Sequence, residues 1–200
     1  MNVAARAKLE PVVLTGRVVR LEPMLAEHVD ALWEAGRHPE LYTVAFEVLR
    51  SRADMARYVS EALDAAARGV ALPFVTRLAS SGEIVGSTRF AAFEPAHERV
   101  EIGWTWITPA HQRTAVNTEA KLLMLVHAFE TLGLGRVELK TDVLNERSQR
   151  AMERLGLVRE GVLRRHMVAS TGRLRDSVHY SAIREEWPAL KARIEGLLAR

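Results

Sequence analysis

Two stretches of the chain combine residue types that could do chemistry. The first, residues 107–120, runs from an alternating aromatic segment into an apolar, helix-like one. The start of a helix exposes unpaired backbone N–H groups and carries partial positive charge, so such a loop can bind a pyrophosphate. Arg113 would add a charge-assisted hydrogen bond. The alternative is an ordinary strand-to-helix loop capped by Asn117 or Thr118. The loop has no glycine, which excludes both a Walker A loop and a GxGxxG turn.

The second stretch, residues 145–161, begins with Asn145 and Ser148 three positions apart at a predicted helix start. Side chains at this spacing face the same space, just beyond the end of the preceding strand. In open α/β sheets, ligands bind outside the carboxyl ends of the strands. Capping of the helix would explain Asn145 on its own, but it would not explain Ser148.

The composition narrows the possible chemistry. The 200 residues include no cysteine, which excludes disulfides, thiolate metal sites and a cysteine nucleophile. No two histidines have the i, i+4 spacing of a helical metal site, so we expect no metal. Of the 28 basic residues only four are lysines, and arginine prefers carboxylates and phosphates. Residues 145–175 hold eight of the arginines, namely Arg147, Arg150, Arg154, Arg159, Arg164, Arg165, Arg173 and Arg175.

Hydrophobic patterning predicts the elements that position these residues. Strands are expected at 17–21, 74–78, 84–90, 99–107, 136–143, 157–165 and 176–184. Helices are expected at 24–35, 51–68, 118–132 and 145–155, with a C-terminal helix over 185–200. Cap and turn signals are Ser51 and Gly69 around the second helix, Asn145 and Gly156 around the fourth, and Ser80-Ser81-Gly82 between strands.

This order predicts an α/β (α+β) fold in which a mixed sheet of about seven strands has helices on both faces. We expect a single domain over 1–200, with residues 1–11 flexible. No apolar run is long enough to span a membrane, and the start lacks a secretory signal, so a cytoplasmic protein is expected.

Several ordered features resemble the GNAT superfamily of acyl-coenzyme A-dependent N-acyltransferases, in its Rim-type branch of ribosomal-protein N-terminal acetyltransferases. Residues 14–23 resemble the opening strand of that branch, and Glu101-Ile102-Gly103-Trp104 its fourth strand. Gln112 begins a segment similar to the (Arg/Gln)-x-x-Gly-x-(Gly/Ala) pyrophosphate loop. Asn145-x-x-Ser148, followed by Leu155-Gly156-Leu157 and Glu160-Gly161, resembles the "N-x-x-S … LGF … EG" signature. The resemblance covers roughly residues 12–184.

The resemblance implies a mostly antiparallel sheet splayed between its fourth and fifth strands, 99–107 and 136–143, with acetyl-CoA as co-substrate in the split. Backbone groups of Trp106 and Ile107 would bind the pantetheine arm, Asn145 would hydrogen-bond the cofactor, and Arg150 would lie near its phosphates. One departure stands out, because Ala115 replaces the usual central glycine. Alanine fits there if its φ is negative. The implied pyrophosphate-binding residues are Gln112, Arg113, Thr114, Ala115, Val116, Asn117 and Thr118.

The resemblance also implies catalytic roles. Ser148 would lie near the sulfur and donate a hydrogen bond to the leaving thiolate. Tyr180 is the competing candidate, since a phenol suits that task better. Glu101 is the first candidate for the base that takes the proton of the acceptor amine; the alternative is a surface carboxylate or an ion pair. Without a cysteine, acetyl would pass directly from the cofactor to the amine.

Three hypotheses remain open. The first is an N-acetyltransferase acting on a primary amine, either a protein N-terminus or a small molecule. The second is a GNAT-like domain that binds acyl-CoA without catalysis. The third, a nucleic-acid-binding module using the arginine-rich segment, is less favoured because no basic motif interleaved with aromatic residues is present.

The acceptor pocket would be built from residues 24–70 and 164–180. Trp33, Tyr42 and Phe46 could line this pocket or, as we favour, pack against the first helices. The final helix could serve a homodimer.

Overall fold

Eight strands form one sheet in the computed structural model, which describes residues 7–44 and 47–199. The predicted sheet of about seven strands is confirmed, with one further strand of only two residues at its edge. The strands are β1 (Leu14–Thr15), β2 (Val19–Pro23), β3 (Leu72–Leu78), β4 (Ile84–Glu94), β5 (Arg99–Ile107), β6 (Arg136–Asp142), β7 (Val158–Val168) and β8 (Leu174–Ile183).

The strand order in the sheet is β1-β2-β3-β4-β5-β6-β8-β7. Every neighbouring pair is antiparallel except β5 and β6, which are parallel. A parallel pair needs a long crossover, and the helix between β5 and β6 supplies it. The sheet is therefore mixed and mostly antiparallel, and its single parallel pair lies near the middle.

Five α-helices cover the two faces of the sheet. One face carries α1 and α2, which pack with Val75 and Ile84 around a core that includes Leu32, Met55 and Val59. The other face carries α3, α4 and α5 over a larger core that contains Phe90, Val137 and Tyr180. The helices are α1 (Val29–Gly36), α2 (Arg52–Ala67), α3 (Ala115–Val126), α4 (Glu146–Leu155) and α5 (Trp187–Leu198).

Several predicted boundary signals are confirmed. The Ser51 hydroxyl accepts the N–H of Asp54 at the start of α2, and Gly69 follows the helix with φ of 72°. Asn145 caps α4, and Gly156 ends it with φ of 103°, a left-handed conformation that favours glycine. These caps satisfy backbone groups that a helix end leaves without partners.

The start of α3 was predicted wrongly. The helix begins at Ala115 rather than residue 118, because the Thr114 hydroxyl accepts the N–H of Val116 and caps it. Neither Asn117 nor Thr118 is the cap. The helix also changes character before its predicted end, since a wider π-type turn, His127–Thr131, follows Val126.

Other boundaries shift by a few residues. The strand predicted at 17–21 lies at Val19–Pro23, and the helix predicted at 24–35 is a 3-10 turn, Ala26–His28, followed by α1. The prediction of flexibility for residues 1–11 falls partly outside the described residues. Within them, Ala7 and Leu9 pack against the larger core.

The apolar side of the final helix is buried against the rest of the same chain. Trp187, Leu190 and Ile194 of α5 are buried in the larger core, and the Trp187 ring stacks on Phe129. In the described part of the chain, no helix is long and apolar enough to cross a membrane.

Candidate functional site

The parallel pair of strands separates part-way along its length. Pairing runs from Arg99 and Arg136 only to Glu101 and Glu138. Beyond that point β5 continues to Ile107 and β6 to Asp142 without pairing to each other. The facing edges of the two strands therefore present backbone N–H and C=O groups that no neighbouring strand satisfies, and a ligand can take their place. The predicted split between these strands is confirmed.

A bulge in β5 lies just beyond the end of this pairing. On the β4 side, Ser87 pairs with Trp106 but Arg89 pairs with Gly103, so β5 carries one extra residue. Trp104 has φ of 49°, a left-handed conformation that is costly for a bulky residue. An extra residue bends a strand and re-aims its side chains. The bulge therefore bends β5 just beyond the point where its pairing with β6 ends, and Trp104 and Trp106 both lie on the face that carries α1 and α2.

The loop after β5 delivers the start of α3 to the mouth of the split. Arg113 has φ of 62°, so the left-handed residue of this loop is an arginine rather than a glycine. Ala115, at the position of the usual glycine, is the first helical residue of α3 and its φ is not positive. The alanine therefore fits without strain. First-turn amides of a helix lack intrahelical acceptors, so the N–H groups of Ala115 and Asn117 can bind an anion.

Some predicted pyrophosphate-binding residues have side chains that are already engaged. Gln112 donates to the carbonyl of Ile107 (2.9 Å) and accepts from Arg147 (2.5 Å), which ties β5 to α4 across the mouth of the split. The Thr118 hydroxyl is buried and accepts from Arg154 at 2.7 Å. By contrast, the side-chain oxygen of Asn117 is buried without a hydrogen-bond partner among the described residues.

The start of α4 closes the other side of the mouth. The Oδ1 atom of Asn145 accepts the N–H of Ser148 at 3.1 Å, so the cap and the serine form one unit. Among residues 7–44 and 47–199, neither the Asn145 amide NH₂ group nor the Ser148 hydroxyl has a hydrogen-bond partner. Both side chains are half-buried. The structure thus leaves two polar groups free, as a role toward a bound ligand requires.

Comparisons with known proteins agree with this geometry. The family model described as "Acetyltransferase (GNAT) domain" matches residues 19–158. A GCN5-related N-acetyltransferase structure from Brucella melitensis is 34% identical, with a TM-score of 0.87 over 94% of this chain and 86% of that one. The chain belongs to the GNAT acetyltransferase family.

Two curated relatives are N-acetyltransferases by name. "Putative ribosomal N-acetyltransferase YdaF" of Bacillus subtilis is 31% identical over 55% of this chain. The aligned part spans only 59% of that relative. "Uncharacterized N-acetyltransferase p20" of Bacillus licheniformis is 27% identical over 84% of this chain and 93% of the relative. The first of these supports the Rim-type branch that the sequence motifs indicated.

Glu101 lies on β5 at the last paired position before the GNAT split opens. Its carboxylate is buried, with a side chain 8% exposed, and it accepts from Lys140 of β6 at 2.5 Å. Glu101 therefore forms an ion pair, which was the alternative to a catalytic role. Lys140 was not singled out from the sequence, although the alternation of β6 places it on the same face of the sheet as Glu101.

Tyr180 lies on the opposite face of the sheet. Its ring is fully buried in the larger core, and its hydroxyl donates to Glu153 of α4 at 2.9 Å. Burial, together with the carboxylate of Glu153, raises the pKa of the phenol to about 12. This hydrogen bond links β8 to α4, and the phenol hydroxyl is already engaged by Glu153.

A buried lysine of α3 is a second residue near the GNAT split that sequence reasoning missed. The Nζ of Lys121 donates to Thr105 (2.6 Å) and to Thr88 (3.3 Å). Burial lowers its pKa to about 7. Thr105 immediately follows the bulge residue Trp104, so Lys121 anchors the bulge from beneath. A single lysine inside the otherwise apolar run 120–126 was the signal that could have found it.

The arginines of 145–175 do not form one uniform patch. Arg147 binds Gln112, Arg150 pairs with Glu146 on the exposed side of α4, and Arg173 pairs with Asp142. These contacts distribute the positive charge over the mouth of the split and the end of β6. Among the described residues, no group of three or more metal-binding side chains could hold a metal ion.

Proposed function

We propose that this GNAT protein transfers an acetyl group from acetyl-CoA directly to a primary amine while both are bound. The observation that carries the proposal is the end of β5–β6 pairing at Glu101 and Glu138. Beyond those residues the unpaired backbone edges of β5 and β6 face each other, beside the start of α3 with its free N–H groups. An extended chain with amide groups, such as pantetheine, can bind those edges as a strand would.

The residues around the mouth fit an anionic co-substrate. The N–H groups at the start of α3 would bind the pyrophosphate, with Arg113 and Arg150 supplying exposed positive charge. The buried oxygen of Asn117 has no partner among the described residues and would accept a donor of the ligand. Thr118 would position Arg154 instead of touching the ligand, because its hydroxyl is already engaged.

Two free polar groups at the start of α4 would contact the cofactor. Asn145 would hold the cofactor through its free amide NH₂ group. The free hydroxyl of Ser148 would donate a hydrogen bond to the sulfur as negative charge develops there. The role of Ser148 rests on its lack of any other partner in the described part of the chain, whereas Tyr180 would serve as a structural link.

The acceptor amine must lose a proton as the new C–N bond forms. Glu101 would take it, directly or through water, with Lys140 orienting the carboxylate toward the split. With no cysteine in the chain, no cysteine acyl-enzyme can form.

The acceptor pocket would lie on the face that carries α1 and α2. Tyr42 packs in the smaller core and donates to the carbonyl of Gly36 at 2.6 Å, and Trp33 packs against the same core. The predicted packing of these two rings is therefore observed, while Phe46 lies outside the described residues. The word "ribosomal" in the name of the Bacillus subtilis relative favours a protein acceptor, and of the two open alternatives we propose a protein N-terminus. We further propose a cytoplasmic setting; a homodimer would need a surface other than the apolar side of α5.

The proposal is tested in two steps. Coenzyme A at a hundred times its dissociation constant should raise the free energy of unfolding by about 2.7 kcal/mol. For a chain of this size that corresponds to roughly 5–10 °C in the unfolding midpoint. Thiol release from acetyl-CoA is then measured against a panel of peptides and small amines. Stabilisation without thiol release would support the non-catalytic alternative, and no stabilisation at millimolar coenzyme A would contradict both acyl-CoA hypotheses.

A further inference from the structure

A pocket of about 530 Å³ opens on the same face as Trp104. Its walls come from the segment before α2, from α2, β4 and β5, and from the loop joining β7 to β8. The backbone N–H of Val48 donates to the Ser170 hydroxyl at 3.1 Å, and this contact closes one side of the pocket. The residues that matter for its chemistry are Arg89, Trp104, Glu47 and Glu61.

Arg89 forms the floor of this pocket. Its residue is 5% exposed, and its guanidinium carbon lies 4.8 Å from the centre of the Tyr58 ring and 4.7 Å from that of Trp104. Two of its nitrogens, Nε and Nη2, are buried with no hydrogen-bond partner in the part of the chain that the structure describes. A buried guanidinium whose donors are unused is costly, so its retention needs a reason.

The position of Arg89 connects the pocket to the split. Arg89 pairs in register with Gly103, next to the bulge residue Trp104, and Glu101 lies two positions away on the same face. Neighbouring strands are about 4.8 Å apart, so a group held by Arg89 lies roughly 5–10 Å from the opening of the split. This separation fits the distance between an amine and an acidic group within one small molecule or one short peptide.

We infer that Arg89 binds a carboxylate carried by the acceptor amine, and that this pocket thereby selects acidic acceptors. The inference rests on the proposed acetyl transfer, since it names the class of amine that the same site accepts. The planar guanidinium, fixed between two aromatic rings, matches a carboxylate through paired hydrogen bonds.

The carboxylates around the pocket favour a singly charged group over a phosphate. Glu61 is exposed, so water screens its charge, and Glu47 is half-buried. Burial and the neighbouring Glu61 raise the pKa of Glu47 above its usual value, because both disfavour the charged carboxylate. One arginine balances one carboxylate, whereas a phosphate dianion beside these two glutamates would lack cations.

The test compares matched acceptors that differ only in the acidic group. One pair is 5-aminopentanoate and 5-aminopentanamide, which represents a small-molecule amine whose acidic group lies several bonds from the nitrogen. The other pair is the C-terminal amides of Ala-Asp and Ala-Asn, which represents a protein N-terminus. For wild type, kcat/KM in thiol release is expected to be about ten- to a hundredfold higher for the acidic member of at least one pair. The pair that shows the preference identifies the source of the carboxylate.

Three variants locate the preference. Arg89→Met removes the charge and keeps an unbranched side chain, and it should abolish the preference by lowering kcat/KM for the acidic acceptor to the value for the neutral one. Arg89→Lys keeps the charge without the planar fork and should retain only part of the preference. Glu61→Gln, the control at the exposed wall, should keep the preference or increase it. Stabilisation by coenzyme A confirms that each variant is folded.

A binding measurement separates this inference from the proposed function. Calorimetry is used to compare the acetylated products of both pairs, acidic against amide, on wild type and on Arg89→Met. Arg89-dependent binding of the acidic product in a chain that turns over no amine would support the pocket and contradict the acetyl transfer. Equal rates for acidic and neutral acceptors, or equal losses for both in Arg89→Met, would overturn the inference while the proposed function stands.

Discussion

A lysine lies in the core directly under the bulge of β5. Lys121 is 4% exposed, and its contacts are the hydroxyls of Thr105 and Thr88, which also hydrogen-bond to each other at 2.8 Å. A charged ammonium here has no carboxylate among these contacts to offset its lost hydration. Lys121 therefore holds the bulge at the split in place, and its burial lowers the stability of the folded protein.

The cost of Lys121 should depend on pH. Burial lowers its pKa to about 7 from 10.5, so between these values the unfolded chain binds a proton that the folded chain does not. Stability should therefore rise with pH across that window, by up to about 1.4 kcal/mol per pH unit. Lys121→Met should be more stable than wild type at pH 7 and should lack this rise, as measured by chemical unfolding at pH 7, 8 and 9.

The exposed Lys191, paired with Glu130, supplies the matched control. Lys191→Met should keep the rise of stability with pH. An unchanged pH dependence in Lys121→Met would show that Lys121 stays charged in the folded protein throughout this range, and it would contradict the lowered pKa that its burial implies.

Ser148 makes a second residue-scale prediction. Ser148→Ala should lower kcat by about a hundredfold, because it removes one donor to the developing thiolate. The KM for acetyl-CoA and the unfolding midpoint should change little, since Asn145 bonds to the backbone of residue 148 and not to its hydroxyl. Ser80→Ala, in the exposed hairpin turn, is the control. A loss of coenzyme A binding in Ser148→Ala without a change in kcat would contradict the catalytic role.

At the scale of elements, α3 is fastened to the N-terminal hairpin by one carboxylate. Glu119 is buried and accepts three backbone N–H groups, from Arg17 (3.0 Å), Val18 (2.7 Å) and Val19 (2.7 Å). A methyl group at Gly16 would lie only 2.3 Å from its Oε2 atom. The turn can therefore approach the carboxylate only because residue 16 has no side chain.

Gly16→Ala should consequently destabilise the protein by about 2–4 kcal/mol, because Glu119 must move and leave the buried N–H of Val19 and two part-buried N–H groups without acceptors. Gly161→Ala is the matched control, since a methyl group there meets no atom within 4 Å and should change stability by less than about 0.5 kcal/mol. Chemical unfolding of both variants measures the difference. Equal stabilities would show that the Glu119 contacts do not fasten the hairpin.

The elements also show which features the sequence could predict. Alternation and caps predicted seven strands and the start of α4, because those signals are local. Residues 114, 117 and 118 are all cap types, so pattern alone could not choose Thr114. The length of β5–β6 pairing and the bulge at Trp104 depend on contacts between distant strands. The family motifs located the split, but the stacking of Arg89 between Tyr58 and Trp104 required the structure.

At the scale of the whole molecule, the split divides the sheet into two parts, and different elements pack over each part. On the face of α1 and α2, the strands β2 to β4 are covered by the smaller core, while β6 and β8 present polar side chains such as Lys140 and His179. The opposite face is covered by α3, α4 and α5. A co-substrate entering between α3 and α4 and an acceptor entering from the Arg89 pocket would therefore meet at the bulge from opposite faces.

Amide hydrogen exchange with and without coenzyme A tests the central claim most directly, because it reports on the backbone edges themselves. Saturating coenzyme A is predicted to slow exchange in β5 from Ile102 to Ile107 and in the loop and first turn of α3, residues 113–117. The β7–β8 hairpin should change little. Protection confined to other elements, with unchanged exchange at these two segments, would contradict a cofactor site in the split.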